Sequence, residues 1–238
     1  MPSVLLWTPE SDHDRDAVCC IAQKIVEYYK CNLAISSGTK QGFNDVARKP
    51  DGLKKAVNIY LKSNDLVIFL IDADSPQSQA QRGKEKNSLI NRIKPVVDAS
   101  EGKALLILIL QELEAWLLVD CLGICCYFTK NPEIRNNPEW IKFANKYQPG
   151  QTHFIVEAEL GGNNAKEYLK DFSKEILIKK NPNLRNKPKN LKELQYSEDQ
   201  SPEVAKSIEL SNEIIKRNES LKEFSLCLQK LAQGGENS

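Results

Sequence analysis

The sequence predicts an α/β fold: a Rossmann-like parallel sheet flanked by helices on both sides. Three apolar runs, Val4 to Trp7, Leu66 to Ile71 and Ala104 to Leu110, have the length and branched-residue content of strands buried on both faces. The stretches between them carry apolar residues at helical spacing, and alternation of strand and helix makes the strands parallel.

Each element follows in order. After the first strand, Ala17, Ile21, Ile25 and Tyr28 recur at the spacing of one helix face. Leu33 to Ser36 predicts a short additional strand, with the glycine-containing segment Ser37 to Gly42 as its loop. Leu53, Val57 and Leu61 predict a helix before the Leu66 to Ile71 strand, and Leu89, Ile93 and Val97 another after it. Leu113, Trp116, Leu117 and Val119 begin a helix beyond the last strand. From about Thr129 the composition turns to Asn, Pro, Lys and Glu, so the sequence divides into an α/β core over 1–128 and a mostly helical extension over 129–238. Within the extension, Val204, Ile208, Ile214, Ile215, Leu221, Phe224, Leu228 and Leu231 predict a long amphipathic stretch that packs on the core. No internal repeat is expected.

Composition narrows the function. The 238 residues hold 33 Lys and Arg against 32 Asp and Glu, a formal net charge of +1, so polyanion binding by bulk charge is excluded and any such contact is local. Seven cysteines at irregular spacing do not make a disulfide framework, and the chain opens on no secretory signal; both point to a cytoplasmic setting. The longest apolar run is far short of the ~20 residues of a membrane-spanning helix. Two histidines, His13 and His153, leave little material for a histidine-ligated zinc or a Ser-His relay.

The chemistry concentrates at strand ends. Asp72-Ala73-Asp74 lies at the carboxyl end of its strand, where ligands of open α/β sheets bind. Two carboxylates two residues apart in extended chain point the same way, and their repulsion is relieved by a divalent cation such as magnesium or manganese. As a turn or helix cap before Ser75-Pro76 the same pair is also unremarkable. Glu10-Ser11-Asp12-His13-Asp14 and Glu112-Leu113-Glu114 follow the first and last strong strands, so three acidic clusters converge on one sheet edge if the strands are neighbours. The metal set read from this is Glu10, Asp72 and Asp74, with Glu114 a further acidic ligand or orienting group. A separate basic run, Lys179, Lys180, Arg185, Lys187 and Lys189 within 179–192, contains no acid and reads either as a phosphate-tracking patch or as a solvated loop. Trp116 is assigned to the core, Trp140, Phe143 and Tyr147 to a helix face, and Cys121, Cys125 and Cys126 to buried apolar positions rather than zinc.

The strand, Glu10 to Asp14, helix, and later strand ending in Asp72-Ala73-Asp74 resemble the Toprim domain of topoisomerases, primases and overcoming-lysogenization-defect (OLD) nucleases, whose pattern is Glu-Gly-x-x-Asp and then Asp-x-Asp. Residues 112–120, Glu-Leu-Glu-Ala-Trp-Leu-Leu-Val-Asp, are similar to a segment of small uncharacterised Toprim-like proteins that occur beside ATPase genes. Lys187-Pro188-Lys189, Tyr196-Ser197, Ser201 to Leu210 and Ser220 to Leu231 echo the later region of that group. Two positions depart from the pattern: Ser11 replaces the glycine, and Glu198 stands where the relatives carry a lysine. The resemblance implies a magnesium-dependent nuclease of DNA or RNA in antiviral defence, with an ATPase as partner. In it Glu10 acts as general acid or base, and Asp72 and Asp74 hold the metal. Two other readings use the same residues. One is a catalytically silent regulatory subunit of an ATPase, the other an aspartyl-phosphate phosphatase with Asp72 as nucleophile.

Overall fold

The computed structural model describes residues 1–49, 51–73, 84–110, 112–148 and 165–234. Four parallel strands, β1 (Ser3–Trp7), β2 (Ala34–Gly38), β3 (Leu66–Ala73) and β4 (Ala104–Leu110), form one sheet in the order β2-β1-β3-β4. β1 pairs with both β2 and β3, and β3 with β4. Helices α1 (Asp12–Tyr28), α2 (Lys40–Ala47), α3 (Gly52–Tyr60) and α4 (Leu89–Asp98) lie between the strands in sequence.

Alternate residues of the strands enter two cores, as a sheet covered on both faces requires. Leu5, Trp7, Val67, Phe69 and Ile71 face α2, α3 and α4. Val4, Leu6, Ile68, Leu70, Ile107 and Ile109 face α1 and the whole C-terminal region, in one unbroken cluster that reaches Ala232. That region comprises α5 (Leu113–Leu117), α6 (Cys121–Thr129), α7 (Pro138–Tyr147), α8 (Ala165–Lys180), α9 (Pro188–Leu194), α10 (Ser201–Ser207), α11 (Asn212–Ile215) and α12 (Glu219–Gly234). Lys24 on α1 fastens it by donating Nζ hydrogen bonds to the carbonyls of Lys206 (2.7 Å) and Ile208 (2.6 Å) at the end of α10. Trp116 is fully buried and stacks on Phe224, and Phe143 and Tyr147 on α7 pack against Phe172. All seven cysteines are free thiols. No helix of the described residues is long and apolar enough to cross a membrane.

Three sequence expectations need correction. The segment Ser37 to Gly42 is not a loop throughout. Gly38 ends β2, and Thr39 caps α2 by accepting the Gly42 N–H at 3.0 Å, which turns Phe43 edge-on to Trp7. The long C-terminal amphipathic stretch is three helices, broken where Ser211 caps α11 and Asn218 accepts the Leu221 N–H ahead of α12. Its apolar spacing continues across the breaks because each short helix packs on the same cluster.

The third correction is an internal repeat. Residues 130–140, Lys-Asn-Pro-Glu-Ile-Arg-Asn-Asn-Pro-Glu-Trp, recur at 180–190 as Lys-Asn-Pro-Asn-Leu-Arg-Asn-Lys-Pro-Lys-Asn. The backbone recurs with them. Each copy follows a helix and starts at an Asn (Asn131, Asn181) with φ −139° whose side chain accepts the N–H two residues on. Each makes a 3₁₀ turn (Pro132–Asn136, Pro182–Asn186) and begins a new helix at a proline, α7 or α9.

The tightest packing constraint lies at Gly38, opposite Trp7 in the β1–β2 register. A Cβ there would stand 2.7 Å from Trp7 Cδ1 and Nε1, and Trp7 is held by its Nε1 hydrogen bond to the Thr39 carbonyl and by stacking on Phe69. Gly38→Ala should therefore overpack this core and cost about 1–3 kcal/mol. An unchanged urea midpoint in that variant would show that the indole is not fixed.

Candidate functional site

Because β1, β3 and β4 are adjacent and parallel, their carboxyl ends meet at one edge. The chain direction across the sheet reverses between β1 and β3, a switch point where a crevice opens in doubly wound folds. β1 stops at Trp7, opposite Phe69, so on that side the Asp72 N–H has no strand partner. Glu10, just beyond β1, replaces it: its Oε2 accepts the Asp72 N–H at 2.8 Å. Sequence separation of these two residues thus becomes direct contact.

Ser11 is the N-cap of α1. Its hydroxyl accepts the N–H groups of His13 (3.1 Å) and Asp14 (3.3 Å). The cap sets Asp14 in the first turn, half-buried, where burial and then the charges of Glu114 and Glu10 push its carboxyl up to about 6. Asp72 is raised well above the ordinary carboxylate range, first by burial, then by Glu10, Asp14, Glu114 and Glu112.

The third cluster is held differently. Glu112 adopts φ 146°, ψ 164°, a region populated almost only by glycine and costing about 1–3 kcal/mol for other residues. Its Oε2 accepts the Lys166 N–H in the first turn of α8 at 3.2 Å. Glu114, only 5% exposed, receives the Tyr196 hydroxyl on Oε1 at 2.8 Å, and Ser201 Oγ stands 2.7 Å from the same tyrosine oxygen. Burial raises the Glu114 carboxyl, while the tyrosine hydrogen bond and Lys166 oppose the rise. Lys166 Nζ pairs with Glu198.

The structure therefore brings Glu10, Asp72 and Glu114 to one edge, and Asp14, Tyr196 and Lys166 with them. Asp74 lies outside the described residues, as does His153. Among the described residues no group of three His, Cys, Asp or Glu side chains forms a metal-holding set. A hydrated magnesium asks for less, one or two carboxylates with water completing the octahedron, and the donors here are the hard oxygens it prefers. Asp14 was accessible to sequence reasoning, as the second acid of the Glu10 motif one helical turn on. Lys166 gave no signal, and Tyr196, noted only as part of the Tyr196-Ser197 element, gave none of its contact with Glu114: each meets the acids only through tertiary packing.

The basic run divides. Lys179 Nζ lies over the rings of Trp140 (5.0 Å) and Phe143 (5.3 Å), and Lys180 Nζ donates to the Thr129 carbonyl at 2.9 Å. Arg185, Lys187 and Lys189 are exposed, and their side chains make no hydrogen bond or ion pair with the described residues.

Fold and site together define an α/β protein with a four-stranded all-parallel sheet and an acidic switch-point edge closed by a helical C-terminal region. No family model, curated protein or solved structure matches the chain.

Two predictions follow from the acids. Asp14, Asp72 and Glu114 all titrate higher in the folded chain than in the unfolded one, where Asp loses its proton near pH ~4. The native state therefore binds more protons, so stability falls as pH rises, for Asp14 between about 4 and about 6. In metal-free buffer of constant ionic strength the Tm should be higher at pH 5 than at pH 7 (about one unit to either side of the Asp14 value), and Asp14→Asn should flatten that slope. A wild-type Tm that rises over this interval contradicts the crowding.

At Glu112, Gly and Ala variants lose the same hydrogen bond to Lys166, but only Gly relieves the backbone. Glu112→Gly should be more stable than Glu112→Ala by roughly 1 kcal/mol or more, the reverse of the usual order. Paired denaturant titrations measure the difference directly.

Proposed function

We propose that this protein is a divalent-cation-dependent phosphodiester hydrolase acting on DNA or RNA, a nuclease of Toprim-like organisation. The observation that carries the reading is the contact between the Glu10 carboxylate and the Asp72 backbone at the switch point, among further acids from β4 and α1. Asp72 and Glu10 would hold the ion, with Asp74 completing the set that the motif implies. When bound, magnesium or manganese supplies a Lewis acid for a phosphate oxygen and neutralises the crowded carboxylates.

The chain's own groups do the rest. Glu10, fixed by the Asp72 N–H, faces the reacting phosphate and moves the proton of the attacking water or the leaving oxygen. Tyr196 and Ser201 hold Glu114 in one rotamer behind this pair, which makes Glu114 an orienting acid. The aspartyl-phosphate alternative differs in wanting a lysine beside Asp72 and a nucleophilic role for its carboxylate. The sequence has no Gly-x-x-x-x-Gly-Lys-Ser/Thr loop, so ATP turnover coupled to cleavage belongs to an ATPase partner.

Magnesium or manganese should raise the Tm by selective binding to the native state, worth about 2.7 kcal/mol at about 100 times Kd. Asp72→Asn and Glu10→Gln should abolish both that rise and metal-dependent cleavage of labelled DNA and RNA. A folded wild-type protein with no metal response and no cleavage would leave the regulatory-subunit reading in its place.

A further inference from the structure

The two copies of the internal repeat share a backbone and differ in charge. The first, 130–140, carries two cations and two acids; the second, 180–190, carries four cations and no acid. Glu133 and Glu139 of the first copy become Asn183 and Lys189, and Asn137 becomes Lys187.

The first copy displays what its arginine is built to hold. Arg135 donates Nη2 to Asp120 Oδ2 at 2.7 Å and to the Ser207 carbonyl at 2.8 Å, and its Nε lies 3.0 Å from Glu209 Oε1. The planar fork thus receives anionic oxygens from separate groups. Arg185 occupies the equivalent place in the second turn, which the same Asn cap and the same closing bond fix: Lys187 N–H to the Leu184 carbonyl at 2.9 Å, against Asn137 N–H to Ile134 at 3.0 Å. Yet the Arg185 side chain is exposed, with neither hydrogen bond nor ion pair among the described residues, and Lys187 and Lys189 stand exposed beside it.

We propose that the second copy is a grip for the nucleic-acid backbone, in which Arg185, Lys187 and Lys189 contact successive phosphates. This rests on the hydrolase reading for the identity of the polyanion. Lys179 and Lys180 are not part of the grip, because one is spent on aromatic rings and the other on the end of α6. α8 links grip and acid edge. Its first turn meets Glu112 through the Lys166 N–H, and its last turn leads into the second repeat. At about 1.5 Å per residue, Lys166 and Lys179 lie about 20 Å apart along the axis. At about 3.4 Å per nucleotide a strand touching both ends spans roughly six nucleotides.

The test is fluorescence anisotropy of end-labelled single-stranded DNA and RNA in EDTA, so that nothing is cut, with oligomers of about 4 and about 16 nucleotides and KCl from about 50 to about 300 mM. Combined Arg185→Gln, Lys187→Gln and Lys189→Gln should weaken binding of the longer oligomer at least tenfold, and should lower the log-log salt slope by roughly 2 units. The short oligomer should bind more weakly than the long one to the wild type. Lys54→Gln, Lys55→Gln and Lys62→Gln, three exposed lysines on and just beyond α3, should change neither quantity. An equal loss in that control, an unchanged slope in the grip variant, or tighter binding of polyglutamate than of oligonucleotide would overturn the proposal; the last would point to an acidic protein segment instead. Segment-dependent binding without cleavage in magnesium would remove the hydrolase reading and keep the grip. Cleavage with binding indifferent to the three substitutions would do the reverse.

Discussion

Carboxylates from the ends of three neighbouring strands crowd one edge of the sheet, and much of the C-terminal region is arranged around that repulsion. Like charges at close range in a partly desolvated crevice each raise the others' cost of ionisation. The described chain answers with groups that are themselves part of the fold. The N-terminus of α1, capped by Ser11, sets its partial positive charge beside Asp14; the first turn of α8 gives a backbone N–H to Glu112; and Tyr196 gives a hydroxyl to Glu114. Two of these three come from beyond residue 164, which makes the C-terminal helices a wall of the site rather than an appendage.

The segment 112–120 shows how closely site and scaffold are joined. Glu112 and Glu114 face the acid edge. Trp116, two residues on, turns the other way into the core, where its Nε1 donates to Ser220 Oγ at 2.9 Å, and the same oxygen accepts the Leu110 N–H at the end of β4. Asp120 then caps α6 through the Gly123 N–H and accepts from Arg135 and from the Glu209 N–H. A cavity at Trp116 or an orphaned charge at Asp120 would therefore loosen the peptide that carries the acids. Each polar residue in this short run fastens a different part of the C-terminal region to the strand end.

What the sequence disclosed depended on whether the signal was local. β1, β3 and β4 were legible because both their faces are buried, and an unbroken apolar run has few other meanings. β2 was faint for the opposite reason: Ser36 and Ser37 are exposed, and only Gly38 is fully enclosed. Helix α2 escaped notice because Gly42 reads as a loop residue while in fact its N–H is the one that Thr39 caps. The acids at strand ends could be read from position alone once the strands were placed. Tyr196 could not, since 82 residues separate it from Glu114 and no periodicity connects them. The repeat was obscured by its own divergence: the structural residues Asn, Pro, Arg and Asn persist at a spacing of 50, while the charges that dominate composition were exchanged.

That exchange of charge bears on the acid edge as well. Glu198, just after the Tyr196-Ser197 pair, meets its cation across the site as Lys166 on α8. A lysine at 198 would add one positive charge to the site, whereas Lys166 paired with Glu198 adds none, and the acids still raise one another at Asp14 and Asp72. A fold that keeps this imbalance buried at neutral pH either retains protons on some of the acids or draws a cation from solution. Both outcomes lower the same electrostatic cost, and they compete: a bound divalent ion releases the protons that the empty edge holds. Proton release on metal addition, matched to the loss of the pH slope in Tm, is thus the thermodynamic signature that joins the crowding of these acids to the chemistry assigned to them.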